Sequence, residues 1–192
     1  MLTEKFTQAL TYAHQLHTTQ IRKGSGVPYI SHLLGVASIA LEYGANEDEA
    51  IAALLHDAIE DQGGAATREE IRRLFGDNIT AIVDGCTDAD TIPKPPWKQR
   101  KEKYLAHIST ASPSVLLVSC ADKLYNVRSI LKDYRLIGDA VWERFKAGKE
   151  GTLWYYRALV DAFNKTNKNT KITQLTEELE RVVTELETLV KV

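Results

Sequence analysis

Residues 50–61 read AIAALLHDAIED. On a helix advancing about 100° per residue, with His56 at zero, Glu60 falls near 40°, Asp57 near 100° and Asp61 near 140°. Leu54, Ala58, Ile51, Leu55, Ile59 and Ala52 occupy the rest of the circumference, so one face is apolar and the other wholly ionisable. A solvated surface is the plain reading of such a face. Three carboxylates beside one imidazole, with no Lys or Arg among them, nevertheless repel one another, and a divalent cation would relieve that repulsion. His56 and Asp57 are adjacent and can reach one ion from a single turn, but they cannot fill its shell. Two other segments offer the missing donors. His32 ends GSGVPYISH, where glycines and a proline fix the entry of a helix, and Asp122 follows the apolar run VLLVSCA. A carboxylate after such a run is buried, and a buried charge needs a partner or a metal.

These donors are far apart in sequence, so helices must bring them together. Apolar residues recur at helical spacing almost throughout, as in Phe6, Ala9, Leu10, Ala13 and Leu16. The pattern predicts an all-α bundle of eight to ten helices, near 3–19, 29–43, 47–60, 67–75, 77–86, 98–109, 113–131, 139–147, 151–164 and 172–190. Gly24, Gly26 and Pro28, then Gly63 and Gly64, then Pro93, Pro95 and Pro96 punctuate it. At 192 residues the chain is one domain's length. Residues 1–165 form the expected domain, and the polar NKTNKNTK at 164–171 leads to a separate last helix. Ile172, Leu175, Leu179, Val182, Leu186 and Leu189 make a seam on that helix. It either packs back on the body or pairs with another chain as a homo-oligomer.

Composition narrows the function classes. With 44% hydrophobic and 26% charged residues the chain is an ordinary globule, which argues against disorder and disulfide miniproteins. Its net charge of −2 gives no global reason to bind nucleic acid, so phosphate recognition must be local. No apolar stretch is long enough to span a membrane and the first residues do not read as a signal peptide, so a cytoplasmic protein is expected. Cys86 and Cys120 lie in apolar contexts and read as core thiols of a reducing compartment. His14, His17 and His107 read as surface or partly buried histidines and not as ligands.

RKGSGVPYISH, HDAIED, TIPK and ADKLYN, in that order, resemble the HD superfamily of metal-dependent phosphohydrolases, and within it the hydrolase domain of RelA/SpoT proteins and small stand-alone alarmone hydrolases. The resemblance spans roughly residues 5 to 160 and implies an HD-domain bundle with one Mn²⁺ held by His32, His56, Asp57 and Asp122. Mixed imidazole and carboxylate donors suit an octahedral divalent ion, although spacing does not choose Mn²⁺ over Fe²⁺ or Zn²⁺. The implied reaction removes pyrophosphate from the 3′ position of (p)ppGpp to leave GDP or GTP. Glu60 and Asp61 would orient or deprotonate the attacking water.

The same resemblance assigns Arg22, Lys23 and Lys94 to the small-molecule nucleotide, with Lys149 a weaker match. Asn126 stands one turn beyond Asp122 and is expected to reach a ribose or phosphate. Residues 94–103 carry Lys94, Lys98, Arg100, Lys101 and Lys103 against only Glu102, a local funnel for anions. Tyr29, Tyr125 and the WYY at 154–156 are candidates to stack on the base, although aromatics at helical spacing commonly pack in cores. Another nucleotide, such as NADPH or an adenine alarmone, is the alternative substrate, and a non-catalytic nucleotide sensor is the alternative from outside the enzymes.

Overall fold

The computed structural model describes residues 1–88, 93, 95–166 and 170–190. Lys94 lies outside the described residues. The helices are α1 Glu4–Leu16, α2 Ile30–Glu42, α3 Glu47–Leu55, α4 Ala58–Asp61, α5 Ala65–Phe75, α6 Asp77–Cys86, α7 Trp97–Ile108, α8 Pro113–Ile137, α9 Gly148–Asn164 and α10 Thr170–Val190, with a 3₁₀ helix at Gly138–Arg144 between α8 and α9. Among the described residues there is no strand, only an isolated bridge between Ile21 and Pro28. None of the described helices is long and apolar enough to cross a membrane.

Local chemistry fixes the helix starts. Asn46 and Glu49 form a reciprocal capping box at α3, each side chain accepting from the other's backbone N–H. Ser112 caps α8 ahead of Pro113, whose missing N–H costs nothing in a first turn. Six successive residues of α3, Ala50 to Leu55, are fully buried, so beyond its acidic first turn this helix has no wet face and runs through the middle of the bundle. Helices α1, α2, α6 and α8 pack around it. The end of α3 is therefore an interior position.

Three helices differ from the sequence-based expectation. The stretch 47–60 is two helices: α3 stops at Leu55, α4 starts at Ala58, and His56 and Asp57 occupy the turn between them. Both residues keep right-handed helical backbone angles, and their side chains still meet, with His56 Nε2 3.1 Å from Asp57 Oδ2. Helix α8 runs on past 131 to Ile137 and stops at Gly138, whose φ of +59° favours glycine. The expected helix at 139–147 is the 3₁₀ segment Gly138–Arg144.

Helix α10 lies on α8 and α9. Its seam residues Ile172, Leu175, Leu179, Val182 and Leu186 are buried in the same apolar core as the other helices. Gly35 of α2 faces the Tyr125 ring of α8 so closely that a Cβ would sit 2.0 Å from Cε2. With the Tyr125 ring in this position only a residue without a side chain fits at 35, and the start of α2 meets the middle of α8 here.

Candidate metal centre

His32 stands in the first turn of α2, His56 and Asp57 in the turn after α3, and Asp122 in the middle of α8. Their donor atoms converge. The two imidazole Nε2 atoms are 3.2 Å apart. Asp57 Oδ2 lies 3.2 Å from His32 Nε2 and 3.1 Å from His56 Nε2. Asp122 Oδ1 lies 3.4 Å and 3.6 Å from the same two nitrogens. Both histidines are buried, while the Asp57 carboxylate is 23% exposed and gives the cluster its opening to solvent.

Neighbouring groups orient each donor. His56 Nδ1 is 2.8 Å from the Ala53 carbonyl, which can only accept, so Nδ1 carries the proton and Nε2 faces the cluster. The His32 ring packs against Tyr29, His56 and Tyr125. Tyr29 donates its hydroxyl to Asp57 Oδ2 at 2.7 Å. Asn126 donates to Asp122 Oδ1, and Lys123 donates to Asp122 Oδ2 at 2.6 Å.

Electrostatics match a site built for added positive charge. Burial would lower the His56 pKa, but the Asp57 and Asp122 carboxylates outweigh it and hold that imidazole well above its ordinary value. Burial prevails at His32, whose pKa is lowered despite the hydrogen bond to Asp57. Burial would raise the Asp122 carboxyl; the Lys123 ammonium and the two imidazoles instead hold it well below the usual carboxylate range. Asp57 is held down in the same way by His56 and His32.

Donors about 2.1 Å from one cation stand about 3.0 Å apart along octahedral edges and about 3.4 Å apart along tetrahedral ones. The observed separations fall in or beside that range, and the donors are two neutral-capable imidazoles and two carboxylates. The residues present therefore fit a divalent ion. His32, His56 and Asp57 form the tightest group, and Asp122 Oδ1 faces both imidazoles from α8.

The two expected proton acceptors lie on α4, the short helix that follows Asp57. Glu60 Oε2 accepts from the backbone N–H of Asp88 at 3.2 Å. Asp61 Oδ2 accepts from Gln20 Nε2 at 2.8 Å, and the Gln20 amide oxygen is in turn engaged by Gln62 and His17. Burial and this contact make His17 an interior part of the network that holds Asp61, while His14 and His107 are exposed.

Of the residues expected to bind substrate, Arg22 and Asn126 come together. Arg22 Nη2 donates to Asn126 Oδ1 at 2.7 Å, and its guanidinium lies 5.8 Å and 5.9 Å from the Tyr29 and Tyr125 ring centres. Lys23 is exposed in the adjoining turn. Lys149 reaches Asp139 and the Val190 carbonyl, and none of its hydrogen bonds goes to the cluster. The cationic stretch on α7 is partly neutralised within the fold: Arg100 and Lys101 both pair with Asp88. Tyr155 and Tyr156 belong to the core, whereas Trp154 is 39% exposed under the Lys98 ammonium. Burial pushes the Cys86 thiol up to about 11, which leaves it a poor nucleophile, and Cys120 is buried.

Sequence reasoning missed Lys123, although a carboxylate buried after VLLVSCA calls for a counter-charge and its nearest neighbour carries one. It named Tyr29 only as one candidate to stack on the base and did not foresee that its hydroxyl is bonded to Asp57. No local spacing pairs residue 29 with residue 57.

A model of the HD domain matches residues 9–153 of the chain. The guanosine-3′,5′-bis(diphosphate) 3′-pyrophosphohydrolase MESH1 of Xenopus tropicalis is 41% identical over 126 residues, which cover 64% of this chain and 68% of the relative. MESH1 of Mus musculus is 37% identical over 126 residues, with 64% and 68% covered. GTP pyrophosphokinase rsh of Brucella melitensis is 39% identical over 126 residues, but these are 16% of that longer protein. Among solved structures, a metazoan ortholog of SpoT, described as hydrolysing ppGpp, superposes with a TM-score of 0.75 at 24% identity, covering 94% of this chain and 96% of that one, and so supports the fold. A protein of Listeria monocytogenes EGD-e superposes with a TM-score of 0.72 at 29% identity, covering 84% and 99%. An HD domain implies a divalent metal, and the His32, His56 and Asp57 group can hold one. With the family match spanning most of its length, the chain belongs to the HD domain family of metal-dependent phosphohydrolases and within it resembles the RelA/SpoT group.

Proposed function

We propose that this chain hydrolyses the 3′-pyrophosphate from (p)ppGpp, giving pyrophosphate and GDP or GTP, with Mn²⁺ held by His32, His56, Asp57 and Asp122. The observation that carries this reading is the convergence of those four donors from three separate parts of the chain, with the two imidazole nitrogens 3.2 Å apart and each carboxylate 3.1 to 3.6 Å from both. The activity named for the MESH1 relatives supplies the substrate class. Bound there, a divalent ion supplies a lowered pKa for water and polarisation of a phosphoryl oxygen.

The chain's own groups do the rest. Glu60 and Asp61 accept the proton of the attacking water at their carboxylate oxygens, a contribution of about 10² to 10⁴ in rate. Gln20 holds one oxygen of Asp61 and the Asp88 N–H holds one of Glu60, which orients both carboxylates. Water's oxygen bonds to the phosphorus, the bond from phosphorus to the 3′-oxygen breaks, and that oxygen leaves with a proton. Arg22 and Asn126, already paired beside the cluster, bind the nucleotide with Lys23 and Lys94. Lys149 joins them only by leaving Asp139 and Val190.

The test is metal analysis of the purified protein together with ppGpp turnover, with and without a chelator and Mn²⁺ add-back. Chelator-sensitive release of pyrophosphate is the expected result. Undiminished turnover after verified metal removal overturns the mechanism. Orthophosphate from NADPH with no turnover of ppGpp moves the substrate to another nucleotide.

A further inference from the structure

The two carboxylates at the centre are held in different ways. Asp57 uses one oxygen, Oδ2, both toward the imidazoles and as acceptor from the neutral Tyr29 hydroxyl. Asp122 divides its oxygens. Oδ1 faces the imidazoles, while Oδ2 accepts from the Lys123 ammonium at 2.6 Å.

Lys123 has little freedom to do otherwise. Its side chain is 14% exposed, and the ammonium sits 4.8 Å from the centre of the Tyr104 ring on α7. Tyr104 is itself buried and locked by a 2.9 Å hydrogen bond from its hydroxyl to Ser119 Oγ, one turn before Lys123 on α8. A buried lysine clamped between an aromatic face and one oxygen of a carboxylate controls which oxygen that carboxylate can offer elsewhere.

We propose that Lys123 is a positioning residue that restricts Asp122 to a single coordinating oxygen and so keeps one place on the bound ion open for substrate. This rests on the metal-dependent reading above. With the ammonium gone, Oδ2 is free to swing onto the ion. The metal then gains a donor and loses a nearby positive charge, while the substrate loses a position that open catalytic sites keep free. Metal affinity and turnover therefore move in opposite directions.

The experiment compares wild type, Lys123→Met, Lys123→Arg and Asp57→Asn. Mn²⁺ affinity is measured by titration of the metal-free proteins, and kcat and KM for ppGpp are measured at saturating Mn²⁺. In Lys123→Met the Mn²⁺ affinity rises about tenfold while kcat falls about tenfold or more, with KM changed less than about threefold. Lys123→Arg keeps the charge and returns both toward wild type. Circular dichroism checks folding, and Lys123→Gln replaces the methionine variant if that one does not fold. If affinity and kcat fall together, or neither moves, Lys123 is a structural ion pair and the proposal is overturned. Asp57→Asn separates the two readings: its Mn²⁺ binding is lost if the metal centre is right, and binding equal to wild type removes the metal reading and this one with it.

Discussion

Helix α8 takes part in two regions of opposite character. At its middle, Asp122, Lys123 and Asn126 join a cluster of buried imidazoles and carboxylates bound to one another by ion pairs and hydrogen bonds. Elsewhere the helix receives α10, whose Ile172, Leu175, Leu179 and Leu186 are fully or almost fully buried and make no polar demands. Ion pairs flank this seam, with Arg128 on Glu178 at 2.9 Å and Arg157 on Glu187 at 2.6 Å. Stability in the seam comes from apolar area removed from water, which any well-shaped hydrophobic side chain can supply. In the cluster, one missing group leaves a buried charge unmatched, and no hydrophobic replacement can restore the donor. The difference teaches that the seam can vary while the cluster cannot, even on one helix.

Four substitutions test that contrast, and they are ordered by expected effect. Asp57→Ala should abolish metal binding and lower ppGpp turnover by about a thousandfold or more, as metal analysis and a pyrophosphate assay will read. Mn²⁺ at about a hundred times its Kd should stabilise the wild type by about 2.7 kcal/mol in thermal melts and leave this variant unmoved. The contrast breaks if the variant still binds metal. Leu179→Ala empties a fully buried seam position and should cost about 2 to 5 kcal/mol in denaturant titration. Its metal content per folded molecule should stay at the wild-type value. Tyr29→Phe removes the hydroxyl on Asp57 and should weaken Mn²⁺ binding or turnover about tenfold, with a stability change of about 1 kcal/mol. A large loss of stability there would show that Tyr29 belongs to the core more than to the centre. Arg135→Ala breaks an ion pair with Glu185 between side chains 56% and 48% exposed. Less than about 0.5 kcal/mol and no change in turnover are expected, and a larger effect would make the seam's charges part of its strength.

Much of this architecture is legible in local chemistry. Helical periodicity and the glycines and prolines between helices are short-range features, and they divide the chain much as the structure does. The His56–Asp57 pair is likewise visible, because ionisable residues on a face without counter-charges stand out from any surface pattern. The sequence also suggested where the remaining donors lie, since a carboxylate following VLLVSCA has to be buried. Beyond that range spacing carries no information. Periodicity alone extended α3 through the HD pair, because nothing local marks the turn at 56 and 57. The paired arrangement of Arg22 with Asn126, the neutralisation of Arg100 and Lys101 by Asp88, and the engagement of Lys149 with Asp139 are contacts that only folding brings together.

The residue order alone gives an all-α chain, which rests on short spacing, and an HD-type set of donors, which rests on side-chain type and on the resemblance of four motifs in order. Only the tertiary packing settles which oxygen of each carboxylate faces the imidazoles, and which cations are neutralised within the fold. Those outcomes depend on how closely α2 and α8 approach at Gly35 and on what packs behind Asp122. Distances between helices come from the packing of the whole core and are not properties of any one segment.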